Sequence, residues 1–278
     1  MPRATVLKVP SSDSLTVIAI PDSHAEPGQD LSRYTLLGRM ICEVFSKVDN
    51  HCVVVNIGDW FDMSSLSSYE KPGSRSFEGR RYKDDIEVGV LAQKMMWAEI
   101  ENYNRWRRGS NVLDIEWHFC LGNHEHRIAR AIESDPTQLE GIISLDDLTQ
   151  GSPVPWTVHP FLRPLFLSEV AFCHYFASGV MGRSVGGENP AATILRKQMT
   201  SCVQGHTHTL DIAERTRADG VKLSAAVIGC YFTDFASWAG YQVNQLWTPG
   251  IAVLRDVEHG QFDFEWWSYR RILKQFGD

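Results

Sequence analysis

Five short blocks in this chain carry side chains that could do chemistry: Asp22-Ser-His24, Gly58-Asp59, Gly122-Asn123-His124-Glu125, an isolated His174, and Gly205-His206-Thr-His208. Carboxylates, an amide oxygen and imidazoles together suit Mn, Fe, Zn, Co or Ni better than they suit Ca, which prefers an all-oxygen cage. Each block follows a short apolar run, so each falls where a strand would end. Ligands far apart in sequence can then converge along one sheet edge. Taken singly the motifs say little, because a lone strand-end histidine is most often structural. Five of them in one order after five apolar runs form the donor set of a two-metal centre.

The runs themselves fix the framework. Leu15–Ile20 is continuous, β-branched and ended by Pro21, which predicts a buried strand delivering Asp22 and His24 onto the next loop. Leu36, Leu37, Met40, Ile41 and Val44 form the apolar stripe of a helix over about 31–47. Cys52–Ile57 repeats the strand signal before Gly58-Asp59, and Glu116–Leu121 does so before Gly122. Between them, residues 64–83 turn small, polar and Gly/Pro-containing, a loop excursion of the length that is usually functional. A helix is expected over about 84–108, with Gly109 as its stop. Later strands are expected at Val170–Cys173 and Ser201–Gln204, with a helix near Ala191–Met199 between them. A short helix fits Leu139–Leu148, and the C-terminal part reads as strand-rich, with runs at Lys222–Ile228, Ile251–Val257 and Phe262–Trp267.

In their order the blocks resemble the calcineurin-like metallophosphoesterase signature, D-x-H, G-D, G-N-H-(D/E), H and G-H-x-H, and the likeness runs from about Leu15 to His208. The Gly-Asp-Trp-Phe-Asp block with its Ser/Tyr-rich continuation is similar to phage-encoded members. The resemblance implies an α/β fold of two packed β-sheets flanked by helices, and the chain's length with no Pro/Gly/Ser-rich linker to divide it favours a single domain over 1–278. It implies that Asp22, His24 and His208 hold one divalent ion, that Asn123, His174 and His206 hold the other, and that Asp59 bridges both. Manganese is the first expectation for this pair, with Fe, Zn, Co or Ni as alternatives. The implied reaction is hydrolysis of a phosphoester, diester before monoester, by a hydroxide that the two ions share. His124 is then the general acid for the leaving oxygen.

Residues beside the blocks admit two readings each. Glu125 either orients the His124 imidazole or is a solvated carboxylate, and Asp62 either backs a metal-bound histidine or caps a turn. Arg75, Arg80 and Arg81 in the loop excursion could grip a phosphate or simply be solvated. Arg127 could contact substrate, but a charged helix face accounts for it and Arg130 equally. Trp266, Trp267 and Tyr269, with Arg270 and Arg271, could stack on bases, although sheet and core positions account for them too. His51, His118, His126, His159 and His259 fall outside every block and read as structural or surface residues.

Composition trims the alternatives. A net charge of -7 argues against holding nucleic acid by a broad basic surface, yet leaves a phosphate substrate, a nucleotide or a nucleic-acid end, open. A metal-dependent nuclease is the alternative enzyme, restrained because only about 70 residues follow His208 for a capping or DNA-binding unit. A non-catalytic metal-binding scaffold is the alternative from another class, and it is disfavoured because every ligand position is filled. The chain has neither a His-x-His-x-Asp-His cluster nor a Gly-x-Ser-x-Gly elbow, which sets aside the metallo-β-lactamase type and the serine hydrolases. The 6 cysteines stand singly within apolar runs and read as reduced core residues. No apolar segment is long enough to span a bilayer and the first residues lack a signal-peptide pattern, so a cytoplasmic location is expected, in the host if the protein is phage-encoded. The oligomeric state has no signature.

Overall fold

The computed structural model describes residues 14–68, 73–74, 77–234 and 239–277. It is an α/β structure with two mixed sheets. The first takes strands in the order β13-β12-β1-β2-β3-β4, where these are Gln261–Ser268, Gly250–Glu258, Leu15–Ile20, His51–Asn56, Ile115–Cys120 and Thr157–His159. Strands β1 to β4 run parallel, and β12 and β13 close one side antiparallel. The second sheet has the order β10-β11-β9-β6-β5, formed by Leu210–Thr216, Lys222–Ile228, Cys202–Gln204, Val170–Phe172 and Leu165–Leu167. A short β7–β8 hairpin, Ala177–Ser178 with Arg183–Ser184, lies outside both.

Strand β1 shows why its sequence reads as an unbroken apolar run. Leu15, Val17 and Ala19 point into a core shared with the second sheet through Leu167, Phe172, Val203 and Ile228. Ile18 and Ile20 point the other way, onto Leu37, Met40 and Ile41 of helix α1 (Ser32–Phe45). Both faces are buried, so alternation disappears. Helix α2 (Tyr82–Asn104) packs beside α1, and α7 (Tyr269–Phe276) covers the end of the same layer. Helix α5 (Pro190–Gln198) covers the outer face of the second sheet through Ala191, Ile194 and Leu195. The layers run helix, sheet, sheet, helix.

Several expectations shift. The C-terminal aromatics belong to the fold: Trp266 packs on the shared core from β13, and Trp267 is buried, stacked on Phe276 with the Arg271 guanidinium on its ring. The chain then turns at Ser268, whose hydroxyl accepts from the Arg271 N–H, into helix α7. In place of one helix over Leu139–Leu148 there are α4 (Pro136–Leu139) and a 3-10 turn at Leu145–Leu148. Within the loop excursion, Ser64–Leu66 forms a 3-10 turn, Arg75 lies outside the described residues, and α2 starts at Tyr82. All six cysteines are buried and free, and among the described residues no helix is long and apolar enough to cross a membrane.

Candidate metal centre

Parallel β1, β2 and β3 deliver Asp22, Asp59 and Asn123 to one edge of the first sheet. Parallel β6 and β9 deliver His174 and His206 from the second. Backbone hydrogen bonds lash the loops together: the Ser23 and His24 N–H groups donate to the Asp59 carbonyl, and the Gly205 N–H donates to that of His174. Arg33, buried in α1, donates to the Ser23 carbonyl and to Gln29, fixing the loop after β1. Two glycines are required by close approach: a Cβ on Gly122 would lie 2.1 Å from Asp59 Oδ1, and one on Gly205 would lie 2.3 Å from Asp22 Oδ2.

All seven expected ligands meet here, in two sets. Asp22, His24 and His208 can present donor atoms within 4.8 Å of one another, as can Asp59, His174 and His206. In the first set His24 Nε2 lies 3.3 Å from His208 Nε2, and His208 Nε2 lies 3.4 Å from Asp22 Oδ1. In the second His174 Nε2 lies 2.8 Å from Asn123 Oδ1, 3.2 Å from His206 Nδ1 and 3.3 Å from Asp59 Oδ2. Asp59 Oδ2 also lies 3.9 Å from His24 Nε2, so this one carboxylate reaches both sets. Two nitrogens bound tetrahedrally to one ion at ~2.1 Å are separated by roughly 3.4 Å, the spacing found here.

The outer contacts fix which nitrogens face inward. His174 Nδ1–H donates to the Ile57 carbonyl (3.1 Å), and His24 Nδ1–H donates to Asp62 Oδ1 (2.9 Å), so each ring keeps a proton on Nδ1 and turns Nε2 into the site. Facing lone pairs at about 3 Å repel unless a proton or a cation lies between them. The charges show the same demand. Burial by itself would lower His174, but Asp59 and Asp22 carry it up to about 9. Burial and the neighbouring His174 bring His206 down to about 4. Asp22 reaches about 2 although burial opposes it, through His208 and His174, and Asp59 is held well below the carboxylate range in the same way by His174 and His124. The donor set therefore fits a pair of divalent ions.

A third close group, His24, Asp62 and His124, has a different character. Asp62 Oδ1 receives His24 Nδ1–H and stands 3.4 Å from His124 Nδ1. Asp62 thus backs an expected ligand and an expected acid together. His124 Nδ1–H donates to the Asp62 carbonyl (2.6 Å), and its Nε2 lies 3.8 Å from Asp59 Oδ2 and accepts from Arg127 at 3.1 Å. Burial would lower the His124 imidazole, but Asp59 and Asp62 outweigh it and raise it. Arg127 is 8% exposed, donates to the Asp62 and Met63 carbonyls, and has no carboxylate ion-pair partner among the described residues.

Glu125 takes neither role expected of it. Its carboxylate is buried and accepts three backbone N–H groups, from Asp59 (2.9 Å), Phe61 (3.0 Å) and Gly122 (2.8 Å). Burial and the Asp59 charge push it up to about 7 against the pull of those donors. Arg80 donates to the Ser64 carbonyl and Arg81, exposed, to that of Arg80. Arg130 is on the outer side of α3 (His126–Ser134), donating to Ser68.

The backbone is strained where the ligands sit. His24, Asp59, His206 and His208 all have left-handed φ, at 43°, 52°, 72° and 60°. Each costs a non-glycine residue on the order of 1–3 kcal/mol. Aromatic rings that the motifs did not flag flank both sets. Phe232 lies 5.3 Å from His24 and 5.1 Å from His208, and Trp247 lies 5.0 Å from His208. On the other side Tyr175 lies 4.7 Å from His206, Phe161 lies 5.7 Å from Tyr175, and His126 stacks on Phe161 at 4.6 Å. In comparisons with known proteins, no family model matches the chain and no curated protein matches it significantly.

Proposed function

We propose that the protein is a dinuclear-metal-dependent phosphoesterase of the calcineurin-like metallophosphoesterase type, acting on phosphodiesters before monoesters. The observation that carries this reading is Asp59: one buried carboxylate within reach of two sets of inward-facing imidazoles. Asp22, His24 and His208 would hold one ion and Asn123, His174 and His206 the other. Bound there, two divalent ions, manganese first, would supply Lewis acidity toward the phosphoryl oxygens and acidify the attacking water.

The chain's own groups complete the reaction. His124 is the candidate acid for the departing oxygen: Asp59 and Asp62 raise it against burial and so favour its charged form, whose Nε2–H could be donated once the Arg127 guanidinium turns from Nε2 toward the phosphoryl group. Asp62 and the Asp62 carbonyl hold that ring in orientation from the Nδ1 side. Arg127 brings a permanent positive charge next to His124 Nε2 and is the guanidinium placed to meet a phosphoryl oxygen. Arg80 and Arg81 are engaged with backbone carbonyls of their own loop, which favours the solvated reading for them.

The test is hydrolysis of a matched aryl phosphodiester and phosphomonoester by the manganese-loaded protein, with metal content measured on the same sample. Turnover of the diester is expected to vanish in Asp59→Asn together with stoichiometric metal binding. In His124→Ala turnover should fall by about 10² or more with the metal retained. A protein holding two metal ions yet inert toward both esters would overturn the reading in favour of a scaffold.

A further inference from the structure

We infer that the groove between helix α5 and strand β10 is a non-catalytic nucleotide site, whose arginines take the phosphates of a nucleoside di- or triphosphate and whose apolar floor takes the nucleoside. It lies on the outer face of the second sheet and does not depend on the phosphoesterase reading. Ala213 of β10 and Leu223 of β11 pack against the cluster that holds Ile194 and Leu195 of α5. Side chains two apart on a strand share a face, so Arg215, opposite Leu223 in the register, emerges on the α5 side, and Arg217 follows just past the strand end. From the helix come Arg196 and, at its C-terminal cap, Met199. These four line one cavity of about 760 Å³ with Leu195 and Leu223. Small-molecule sites span roughly 300–1,000 Å³.

The charge in this cavity is unspent. The protein carries a net charge of -7, yet no carboxylate lines the cavity. The Arg196 and Arg215 side chains are exposed and have neither an ion-pair nor a hydrogen-bond partner among the described residues. Arg217 has Asp219 of its own turn, at 2.6 Å. Guanidinium groups gathered at one cavity repel one another until an anion joins them, and their planar fork fits phosphate oxygens in pairs. Met199 is a second, independent sign. It is 78% exposed and holds a φ of 55°, the left-handed position after a helix that glycine usually fills. The strain keeps a soft apolar side chain on the cavity wall, and a thioether packs well on a flat ring. Strand β10 leaves the His208 loop and carries Arg215 roughly 20 Å along the sheet at about 3.4 Å per residue, so phosphates held here are out of reach of the metal centre.

The test is calorimetric titration of the whole protein, metal-free in chelator, with adenosine diphosphate. Inorganic tripolyphosphate, adenosine and a hexaglutamate peptide serve as comparisons. The nucleotide should bind about tenfold more tightly than any of the three, because only it uses both the arginines and the apolar floor. Arg196→Ala and Arg215→Ala should each weaken it by about tenfold. Arg215→Lys keeps the charge but loses the fork, and should restore only part of the affinity. Met199→Gly should weaken binding and raise the melting temperature together, since glycine adopts the left-handed φ without strain. Arg127→Ala, at the metal centre, should bind the nucleotide as the parent does, and a loss there would place the nucleotide at the metal centre and overturn the inference. Absence of binding, equal binding of tripolyphosphate or hexaglutamate, or full affinity in both alanine variants would overturn it too. None of these results touches the phosphoesterase reading, which stands or falls on the ester assay.

Discussion

At the scale of single residues, Glu125 shows how a motif can mislead about a role while marking the right place. Adjacency to His124 suggests that the two side chains act on each other. Successive residues on a helical turn point about 100° apart, however, and Glu125 opens helix α3 in helical geometry. Its carboxylate therefore turns away from the imidazole and gathers the N–H groups of Gly122, Asp59 and Phe61, tying the loops after β2 and β3 to each other. Replacing it tests this. Glu125→Gln keeps the shape but turns one acceptor oxygen into a donor facing backbone N–H, and should cost on the order of 1–3 kcal/mol in a denaturant titration. A wild-type midpoint in that variant would assign Glu125 no structural role. The candidate ligands were legible from residue type and order, because five blocks bearing imidazole, carboxylate or amide groups each follow an apolar run. Phe232, Trp247 and Tyr175 were not, since in sequence an aromatic that packs beside a candidate ligand looks like any core aromatic.

At the scale of elements, legibility followed burial and length. Strands β1, β2 and β3 were readable because both of their faces are covered, and their sequences say so. Strand β10, with the sequence LDIAERT, is largely solvent-facing at a sheet edge and carries no apolar signature. Strands β4 and β5 are three residues long, and β7 and β8 two, too short to show a period. What the elements achieve is close approach of the strand-end loops, and the glycines are its condition. Gly205→Ala should push the Asp22 carboxylate aside, because the new methyl carbon would sit 2.3 Å from it. The expected result is weaker binding of one ion, seen as a loss of one step in a metal titration, with the circular dichroism of the fold retained. Two unaltered steps would show that the loop yields at no cost.

For the whole molecule, acid sensitivity is built in away from the centre as well as at it. His118 and His159 share one hydrogen bond between β3 and β4, at 3.0 Å. Burial first, then His118 and Arg163, bring His159 down to about 4 from the ordinary 6.5. The folded protein therefore binds fewer protons there than the unfolded chain. Its contribution to stability is whole above about pH 6.5 and is lost as pH falls through about 4. A melting temperature followed from pH 7 to pH 4 should fall, and less steeply in His159→Gln. An unchanged slope in that variant would show that the pair is already charged when folded.

The four left-handed backbone positions among the ligands have a consequence for inheritance. Glycine would sit at those φ angles with less strain than histidine or aspartate, so, on the phosphoesterase reading, each retained candidate ligand would be a concession of durability to chemistry. A lineage released from the need to work would be expected to drift at positions 24, 59, 206 and 208 before it drifts in the sheets, and its descendants would be sturdier for it. Wherever those four residues persist together, selection is holding the protein to a task.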